Sequence, residues 1–356
     1  MRSRIRVLVV DDSAFMRKAL TSMIQSDPQL EVISTARDGE EAIEKVLNLK
    51  PDFVTMDIDM PRLNGLEALK IIMAKAPVPV LMVSSLTEEG AQVTLDALES
   101  GAVDFIPKNL GNVALNIVRV KEELTSKIKS IVRQRVRLET SMGSKSSSVA
   151  ARPGTHLLSD SRSTSSHRVR AIAIGTSTGG PKTLHEILPS LPAHLPAGIL
   201  VVQHMPAVFT EPFARRLNQI SRIEVKEAEE GDVVRPGLVL IAPGAFHMKV
   251  VKRKPTEVTV ELSEEPRDAP HIPSIDVTMS SVAEVYGERS LGIILTGMGH
   301  DGREGMKDIK KRNGRTIAQS EESCVVFGMP KSAIEAGVVD TVMSPSQITG
   351  EIINMA

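Results

Sequence analysis

"AIAIGTSTGGPKTLHEIL", residues 171–188, passes from an apolar run through a glycine-rich bend into a helical pattern. A run that ends at Gly175, followed by glycines and then by Pro181 at a helix start, predicts a tight strand-to-helix turn. The bend spells G-x-S-x-G, and such a turn lifts the Ser177 hydroxyl clear of the sheet edge, beside backbone N–H groups. The stretch therefore indicates an α/β fold with an exposed serine at a strand end.

Two kinds of site fit this bend. A phosphate could rest on the helix N-terminus, but the G-K-[ST] lysine is missing and Lys182 lies inside the helix. Alternatively, Ser177 attacks a carbonyl, which requires a base and an orienting group. Of the 8 histidines, His204 is the candidate base because it follows the apolar run "AGILVVQ" and so shares the sheet edge with Ser177. Asp301, in the glycine-rich loop "TGMGHDG", is the candidate orienting acid, and the order Ser…His…Asp argues against an ordinary lipase fold.

A second α/β domain is predicted in the N-terminal third. Short β-branched runs at 5–10, 53–56 and 78–83 alternate with helical patterns, as in a doubly wound parallel sheet. The two halves are separated by a Lys- and Arg-rich helical pattern followed by a Ser-rich segment at 141–168. In the second half, "HMKVVKRKPTEVTVEL" predicts a hairpin. We therefore expect two doubly wound parallel-sheet domains, with boundaries at 1–122, 123–168 for the helix and flexible linker, and 169–356.

Charged and hydroxyl side chains cluster at the strand ends of the first domain. Asp11 and Asp12 follow the first strand, Asp57 follows the third, Ser84 ends the fourth and Lys108 follows the fifth. Because the carboxyl ends of parallel strands share one edge, the three carboxylates would repel one another unless a cation such as Mg²⁺ lay among them. A carboxylate nucleophile with a metal, a hydroxyl and a lysine makes a site that accepts a phosphoryl group.

This first domain resembles the receiver domain of two-component response regulators. The resemblance implies Asp57 as the phospho-acceptor, Lys108 as the phosphate partner, Ser84 as the switch hydroxyl and Phe105 as the aromatic that changes rotamer. It also implies a Mg²⁺ site formed by Asp12, Asp57, the Asp59 carbonyl and, through water, Asp11. The chain has Asn109 where many receivers carry a proline after the lysine.

The second half carries another resemblance. "GTSTGGP", "VVQHMP" and "ILTGMGHDG" are similar to signature segments of the chemotaxis protein-glutamate methylesterase family, in which a receiver is linked to the esterase. The resemblance implies Ser177 as nucleophile, His204 as general base and then acid, Asp301 as the orienting carboxylate, and the Met298 backbone N–H as an oxyanion donor. Thr278 and Met279 stand where the family often has an aromatic.

The resemblance also implies an activity and partners. The expected reaction is phosphorylation-activated hydrolysis of glutamate γ-methyl esters on methyl-accepting chemotaxis receptors, with deamidation of receptor glutamines through the same acyl-enzyme. The expected phosphodonor is the chemotaxis histidine kinase, and the esterase itself needs no cofactor. Two alternatives remain at this point: a phosphorylation-switched binding module without enzymatic activity, and an unrelated serine hydrolase fused to a receiver.

Composition narrows the remaining function classes. A net charge of −1 and 2% aromatic residues give no basic surface or stacking platform for nucleic acid. No apolar run is long enough to insert into a bilayer, and one cysteine fits a reducing compartment, so we expect a cytoplasmic protein. That cysteine, Cys324, has acidic neighbours that disfavour a thiolate, so a structural role is expected.

Overall fold

The computed structural model describes residues 4–108, 114–144 and 168–356. The N-terminal domain contains a parallel sheet whose strands are β1 Ile5–Val10, β2 Leu30–Ala36, β3 Phe53–Asp57, β4 Val80–Ser84 and β5 Asp104–Pro107. Their order is β2-β1-β3-β4-β5. The interior strands β3 and β4 are buried at every position, which explains their continuous apolar runs.

Helices cover both faces of this sheet. They are α1 Ala14–Gln25, α2 Gly39–Leu49, α3 Gly65–Lys75, α4 Glu88–Glu99 and α5 Ala114–Ser144. Ser13, Asp38, Asn64 and Thr87 precede the first four, and each side chain accepts a hydrogen bond from a first-turn N–H, a cap worth about 1 kcal/mol. The fifth helix extends four residues into the predicted linker at 141–168. Residues 145–167 and Asn109 lie outside the described residues.

The C-terminal domain contains a larger parallel sheet. Its strands are β6 Ala171–Thr176, β7 Gly198–Gln203, β8 Glu224–Glu227, β9 Leu238–Ile241, β12 Ser290–Ile294, β13 Arg315–Gln319 and β14 Thr341–Met343. The predicted hairpin is confirmed as the antiparallel pair β10 His247–Lys254 and β11 Glu257–Ser263. The helices are α6 Gly180–Ile187, α7 Ala207–Ile220, α8 Ile275–Tyr286, α9 Arg303–Lys311, α10 Met329–Glu335 and α11 Pro345–Met355.

The strand order places the candidate residues together. The order is β14-β13-β12-β6-β7-β9-β8, so β6 lies between β12 on one side and β7 on the other. The chain leaves β6 in one direction and returns on its other side, and ligands bind in the crevice at such a switch point. Ser177, His204 and Asp301 follow β6, β7 and β12 respectively and therefore meet there.

The two domains contact each other directly. The rings of Phe105 in β5 and Phe209 in α7 lie 4.4 Å apart between centroids. Arg216 in α7 forms ion pairs with Asp96, at 2.6 Å, and with Glu99, both in α4. No helix among the described residues is long and apolar enough to span a bilayer.

Candidate active site and acidic pocket

Ser177 lies in a turn whose backbone is held from several sides. Its N–H donates to the Thr296 carbonyl at 3.0 Å, and its carbonyl accepts from Gly180 N–H at 2.8 Å and from the Gln203 side chain at 3.0 Å. Gly179 has φ +80°, a left-handed conformation that favours glycine. These contacts leave the half-buried Ser177 side chain facing a cavity of about 480 Å³.

Close packing around the serine explains a second glycine. A Cβ on Gly297, just after β12, would lie 2.9 Å from the Ser177 Cβ and 2.4 Å from the Met329 sulfur. Any side chain there would displace the serine turn. Met298 follows, lines the same cavity as Ser177, and donates its N–H to no backbone carbonyl among the described residues. The position of this N–H fits the predicted oxyanion donor, a role that stays a prediction.

The His204 ring has one nitrogen engaged and one open. Nε2 lies 2.8 Å from Asp301 Oδ2, and because a carboxylate only accepts, Nε2 carries the proton. Nδ1 is buried and has no hydrogen-bond partner among the described residues. In this tautomer Nδ1 is an acceptor, and His204 lines the same cavity as Ser177. The ring is therefore arranged to accept a proton at Nδ1.

Asp301 is surrounded by donors from the starts of α8 and α9. Besides His204, it accepts hydrogen bonds of 2.8–3.0 Å from four groups, namely the Ser274 hydroxyl and the N–H groups of Ile275, Asp276 and Gly302. Burial alone would raise the pKa of Asp301, but the His204 contact and the helix N–H groups outweigh it and lower the pKa well below its usual range. Asp301 therefore stays ionised and holds His204 in one orientation.

Asp276, not singled out from the sequence, lies beside Asp301. It accepts from Gly305 N–H at 2.7 Å, joining the starts of α8 and α9. Burial and the neighbouring Asp301 charge raise the pKa of Asp276 to about 6. Of two adjacent carboxyl groups, the one with more donors is ionised at lower pH. The helix-cap pattern at Ser274 signals this helix start, but not that Asp301 binds to it.

A second histidine packs on the His204 ring. His271, on the loop before α8, stacks on His204 with ring centroids 4.2 Å apart and an interplanar angle of 24°. Together with the Asp301 hydrogen bond, this contact restrains the His204 ring in two directions. The sequence does not reveal this contact, because stacking between distant segments leaves no local pattern.

The acidic pocket of the N-terminal domain lies at the ends of β1, β3 and β5. Asp11, Asp12 and Asp57 each offer a carboxylate oxygen within 4.8 Å of the others. Lys108 Nζ lies 2.5 Å from Asp57 and 3.5 Å from Asp11. Burial raises the pKa of Asp57 to about 6, and the Asp11 charge adds to the effect while Lys108 opposes it. This excess of negative charge on oxygen ligands fits a hard divalent cation such as Mg²⁺.

The remaining residues predicted for this pocket differ in what they contact. Ser84 accepts from the Thr94 hydroxyl of α4 at 2.6 Å, and the Asp59 N–H donates to Asp57 at 3.3 Å. Phe105 is buried against Phe209 rather than exposed. The switch roles of Ser84 and Phe105, and ligation by the Asp59 carbonyl, stay predictions.

The N-terminal domain reaches the serine turn itself. Asp104 in β5 accepts from the Thr178 hydroxyl at 2.7 Å, one residue beyond Ser177. Lys127 in α5 pairs with Asp104 at 2.8 Å and donates to the Phe105 carbonyl at 3.0 Å. The buried pairing raises the pKa of Lys127, although desolvation opposes it, so the lysine stays charged. Asp104, Phe105 and Lys127 also line the Ser177 cavity, so one domain covers the other's candidate active site.

Comparison with known proteins gives consistent matches. Residues 172–352 match the CheB methylesterase family, and residues 7–118 match the response regulator receiver domain. A protein-glutamate methylesterase/protein-glutamine glutaminase from Pyrococcus abyssi is 48% identical over 98% of this chain and 93% of its own length. One from Halalkalibacterium halodurans is 48% identical over 99% of both chains. The crystal structure of the Thermotoga maritima CheB methylesterase catalytic domain covers 53% of this chain and 99% of its own, with 44% identity and a TM-score of 0.52.

Proposed function

This chain belongs to the CheB methylesterase family and carries a response regulator receiver domain, and on that premise we propose its reaction. It hydrolyses glutamate γ-methyl esters on chemotaxis receptors and deamidates receptor glutamines, under control of receiver phosphorylation. The observation that carries the proposal is the His204–Asp301 hydrogen bond of 2.8 Å, together with the cavity that both His204 and Ser177 line. A base oriented by a buried carboxylate next to a serine turn is the arrangement of a serine hydrolase.

The residues divide the work of ester hydrolysis. Ser177 Oγ attacks the ester carbonyl while His204 Nδ1 takes the hydroxyl proton, and the Met298 N–H stabilises the oxyanion that forms. The tetrahedral intermediate collapses, the C–O bond to methoxide breaks, and His204 donates its proton so that methanol leaves. Water then attacks the acyl-enzyme by the same route and releases the glutamate carboxylate and Ser177. Throughout, Asp301 stabilises the His204 imidazolium without accepting its proton.

Deamidation follows the same steps with another leaving group. On a glutamine, the C–N bond of the intermediate breaks and ammonia departs with the proton from His204. Both substrates give the same acyl-enzyme and the same glutamate product, so one site serves both reactions. The name of the Pyrococcus abyssi relative pairs these two activities.

The acidic pocket supplies the control. Asp57 accepts the phosphoryl group from the phosphohistidine of a chemotaxis histidine kinase, whose N–P bond breaks as the new O–P bond forms. Asp12, Asp57 and the Asp59 carbonyl would hold Mg²⁺, and Asp11 would contribute through water. When bound, the cation would neutralise charge on the transferring phosphoryl group. Lys108 then binds the phosphoryl oxygens, and Ser84 provides the switch hydroxyl.

Phosphorylation weakens the contacts by which the N-terminal domain covers the Ser177 cavity. Lys108 directly follows β5, the strand whose Asp104 and Phe105 contact Thr178 and Phe209. A phosphoryl group on Asp57 replaces the Lys108–Asp57 ion pair of 2.5 Å, so Lys108 must shift to bind the phosphoryl oxygens while Ser84 turns toward them. This rearrangement at the end of β5 competes with the contacts between the domains. An activation of ~10-fold to ~100-fold requires only about 1.4 to 2.7 kcal/mol of differential stabilisation.

Two alternatives are not favoured. A binding module without activity would not require an ionised carboxylate, held by four other hydrogen-bond donors, to orient a histidine beside a serine. An unrelated serine hydrolase fused to a receiver is disfavoured by the family match over residues 172–352.

The proposal is tested on receptor membranes carrying methyl-labelled glutamates. The full chain with Mg²⁺ and a phosphodonor should release labelled methanol faster than without the phosphodonor. Ser177→Ala should release none above background, while Ser190→Ala, an exposed serine of the same domain, should behave as wild type. Equal release by wild type and Ser177→Ala would contradict the esterase assignment.

A further inference from the structure

His247, the first residue of β10, is fully buried beside the active site without lining its cavity. Both ring nitrogens are engaged. Nδ1 accepts from the Ser274 N–H at 3.0 Å, and Nε2 lies 3.1 Å from the Pro266 carbonyl oxygen. A buried histidine with two backbone partners ties together the two segments that carry those partners.

The partners determine the state of the ring. A backbone N–H only donates, so Nδ1 carries no proton, and a carbonyl oxygen only accepts, so Nε2 does. His247 is therefore neutral, in the Nε2–H form. The protonated ring would direct an N–H at the Ser274 N–H, and the Nδ1–H form would lose both hydrogen bonds.

The Ser274 contact leads to the catalytic histidine. Ser274 caps α8, and its hydroxyl donates to Asp301 at 3.0 Å, while the N–H groups of the next two residues also donate to Asp301. Asp301 in turn holds His204 at 2.8 Å. Anchoring the Ser274 N–H fixes the position of the cap, and hence where the Asp301 donors point.

The Pro266 contact leads to the same histidine by another path. The segment between Pro266 and Ser274 carries His271, whose ring stacks on His204. His247 binds both ends of this segment, so one side chain closes the loop. Both restraints on the His204 ring, the Asp301 hydrogen bond and the His271 stack, therefore depend on residues that His247 anchors.

We propose that His247 is a positioning residue for the esterase reaction: it closes the 266–274 loop and thereby holds His204 in its reactive orientation. It acts through Ser274, Asp301 and His271 and touches no reacting atom. The proposal rests on the proposed function only where hydrolysis is the readout. Its consequence is that loss of His247 lowers kcat and leaves KM nearly unchanged.

Two variants separate the contacts. His247→Leu removes both hydrogen bonds. His247→Asn keeps an acceptor, because the asparagine Oδ1 is attached to Cγ as the histidine Nδ1 is, and so retains the Ser274 contact. His194→Asn, an exposed histidine in the loop before β7, is the matched control.

Hydrolysis is measured with the full chain, Mg²⁺ and a phosphodonor on methyl-labelled receptor membranes. We expect His247→Leu to lower kcat ~10-fold to ~100-fold with KM within about threefold. A small misorientation of the general base slows proton transfer but does not change the contacts that bind the substrate. His247→Asn should recover most of the loss, and His194→Asn should match wild type. A kcat for a folded His247→Leu within threefold of wild type, or His247→Asn as impaired as His247→Leu, would overturn the proposal.

Nitrogen-15 spectra of histidine-labelled protein test the same point without substrate. Wild type should show His247 as the neutral Nε2–H tautomer at neutral pH, and His204 with an Nε2–H proton shifted downfield by Asp301. The His204 signal should weaken in His247→Leu and persist in His247→Asn. A protonated or Nδ1–H ring at His247 in wild type would overturn the inference even if His247→Leu failed to fold. Wild type that hydrolysed no ester would contradict the proposed function alone, since these spectra would still decide the positioning role.

Discussion

Asp57 and Asp301 hold corresponding places in the two domains, and their surroundings give them opposite properties. Each lies at the carboxyl end of a buried parallel strand, Asp57 as the last residue of β3 and Asp301 in the loop after β12. Asp301 accepts hydrogen bonds from His204, from three groups at the start of α8 and from the Gly302 N–H, and its pKa is lowered. Asp57 faces another buried carboxylate and one lysine, and its pKa is raised to about 6.

The comparison shows that a strand end selects the location of a site, whereas local donors select its chemistry. A carboxylate with many donors is ionised, immobile and suited to orienting a neighbour. A carboxylate among other acids with few donors is poised for a cation and for an incoming electrophile. These surroundings support the roles proposed for the two aspartates, an orienting group for Asp301 and a nucleophile for Asp57.

Removing the Ser177 hydroxyl should abolish ester hydrolysis without affecting phosphorylation. Ser177→Ala is expected to reduce ester hydrolysis by at least ~10⁴-fold, because the nucleophile is gone and only oxyanion stabilisation remains. Phosphoryl uptake at Asp57 should be unchanged, as measured with a labelled phosphodonor. A loss of less than tenfold would refute Ser177 as nucleophile, and slower phosphorylation would show that the sites are not independent.

An isosteric substitution of Asp301 tests whether this carboxylate orients His204. Asp301→Asn should lower kcat by ~10³-fold to ~10⁴-fold, because the amide can direct an N–H at His204 and favour the wrong tautomer. Asp308→Asn is the control: it changes an acid of α9 that pairs with Lys311 away from the cavity, and should retain activity. Hydrolysis by Asp301→Asn within a few-fold of wild type would show that His204 needs no orienting carboxylate.

Removing the contacts between the domains should change the rate of ester hydrolysis by a smaller factor. A fragment starting near Val169 should hydrolyse esters ~10-fold to ~100-fold faster than the unphosphorylated whole chain, and no phosphodonor should affect it. Within the whole chain, Glu99→Gln should raise the unphosphorylated rate a few-fold by weakening the contact with Arg216, whereas Glu89→Gln should not. A fragment slower than the unphosphorylated chain would mean that the receiver stimulates the esterase.

The raised pKa of Asp57 predicts that Asp57→Asn is more stable than wild type, by an amount that depends on pH. Its folded-state pKa of about 6 is above the usual range of an aspartate, so the folded state binds more protons than the unfolded state. The contribution of proton binding at Asp57 to the free energy of unfolding is therefore lost as pH rises through about 6. Asp57→Asn should therefore stabilise the Mg²⁺-free protein by about 1–3 kcal/mol at pH 7.5 and less at pH 5. Thermal midpoints with and without Mg²⁺ measure this, with Asp59→Asn as the control. An Asp57→Asn protein less stable than wild type at pH 7.5 would contradict the charge balance described for the pocket.

The cysteine should matter least. Burial raises the pKa of Cys324 to about 12, so no thiolate forms at neutral pH. Cys324→Ser is expected to keep ester hydrolysis within a few-fold of wild type under the phosphodonor assay. A collapse of activity in a protein with an unchanged thermal midpoint would restore a role for the thiol.

Much of this architecture could be predicted from local patterns, and the exceptions share a cause. The apolar run and glycines around Ser177 predicted the turn, and the strand-end acids predicted the cluster that includes Asp11 and Asp57. The end of α5 was placed four residues too early, because a serine-rich composition does not prevent a helix from continuing. The domain boundaries and the individual site roles remain predictions.

The sequence alone determined that two parallel α/β sheets would form and that chemistry would concentrate at their strand ends, because alternation, glycine positions and capping residues act within a few residues of one another. The tertiary structure alone decided which nitrogen of His204 is open, since that depends on Asp301 at a separation of 97 residues. It likewise decided the His271 stack, the His247 anchor and the Asp104–Thr178 contact between domains. These are pairings of single side chains across distant segments, and their energies depend on burial and geometry that no local pattern encodes.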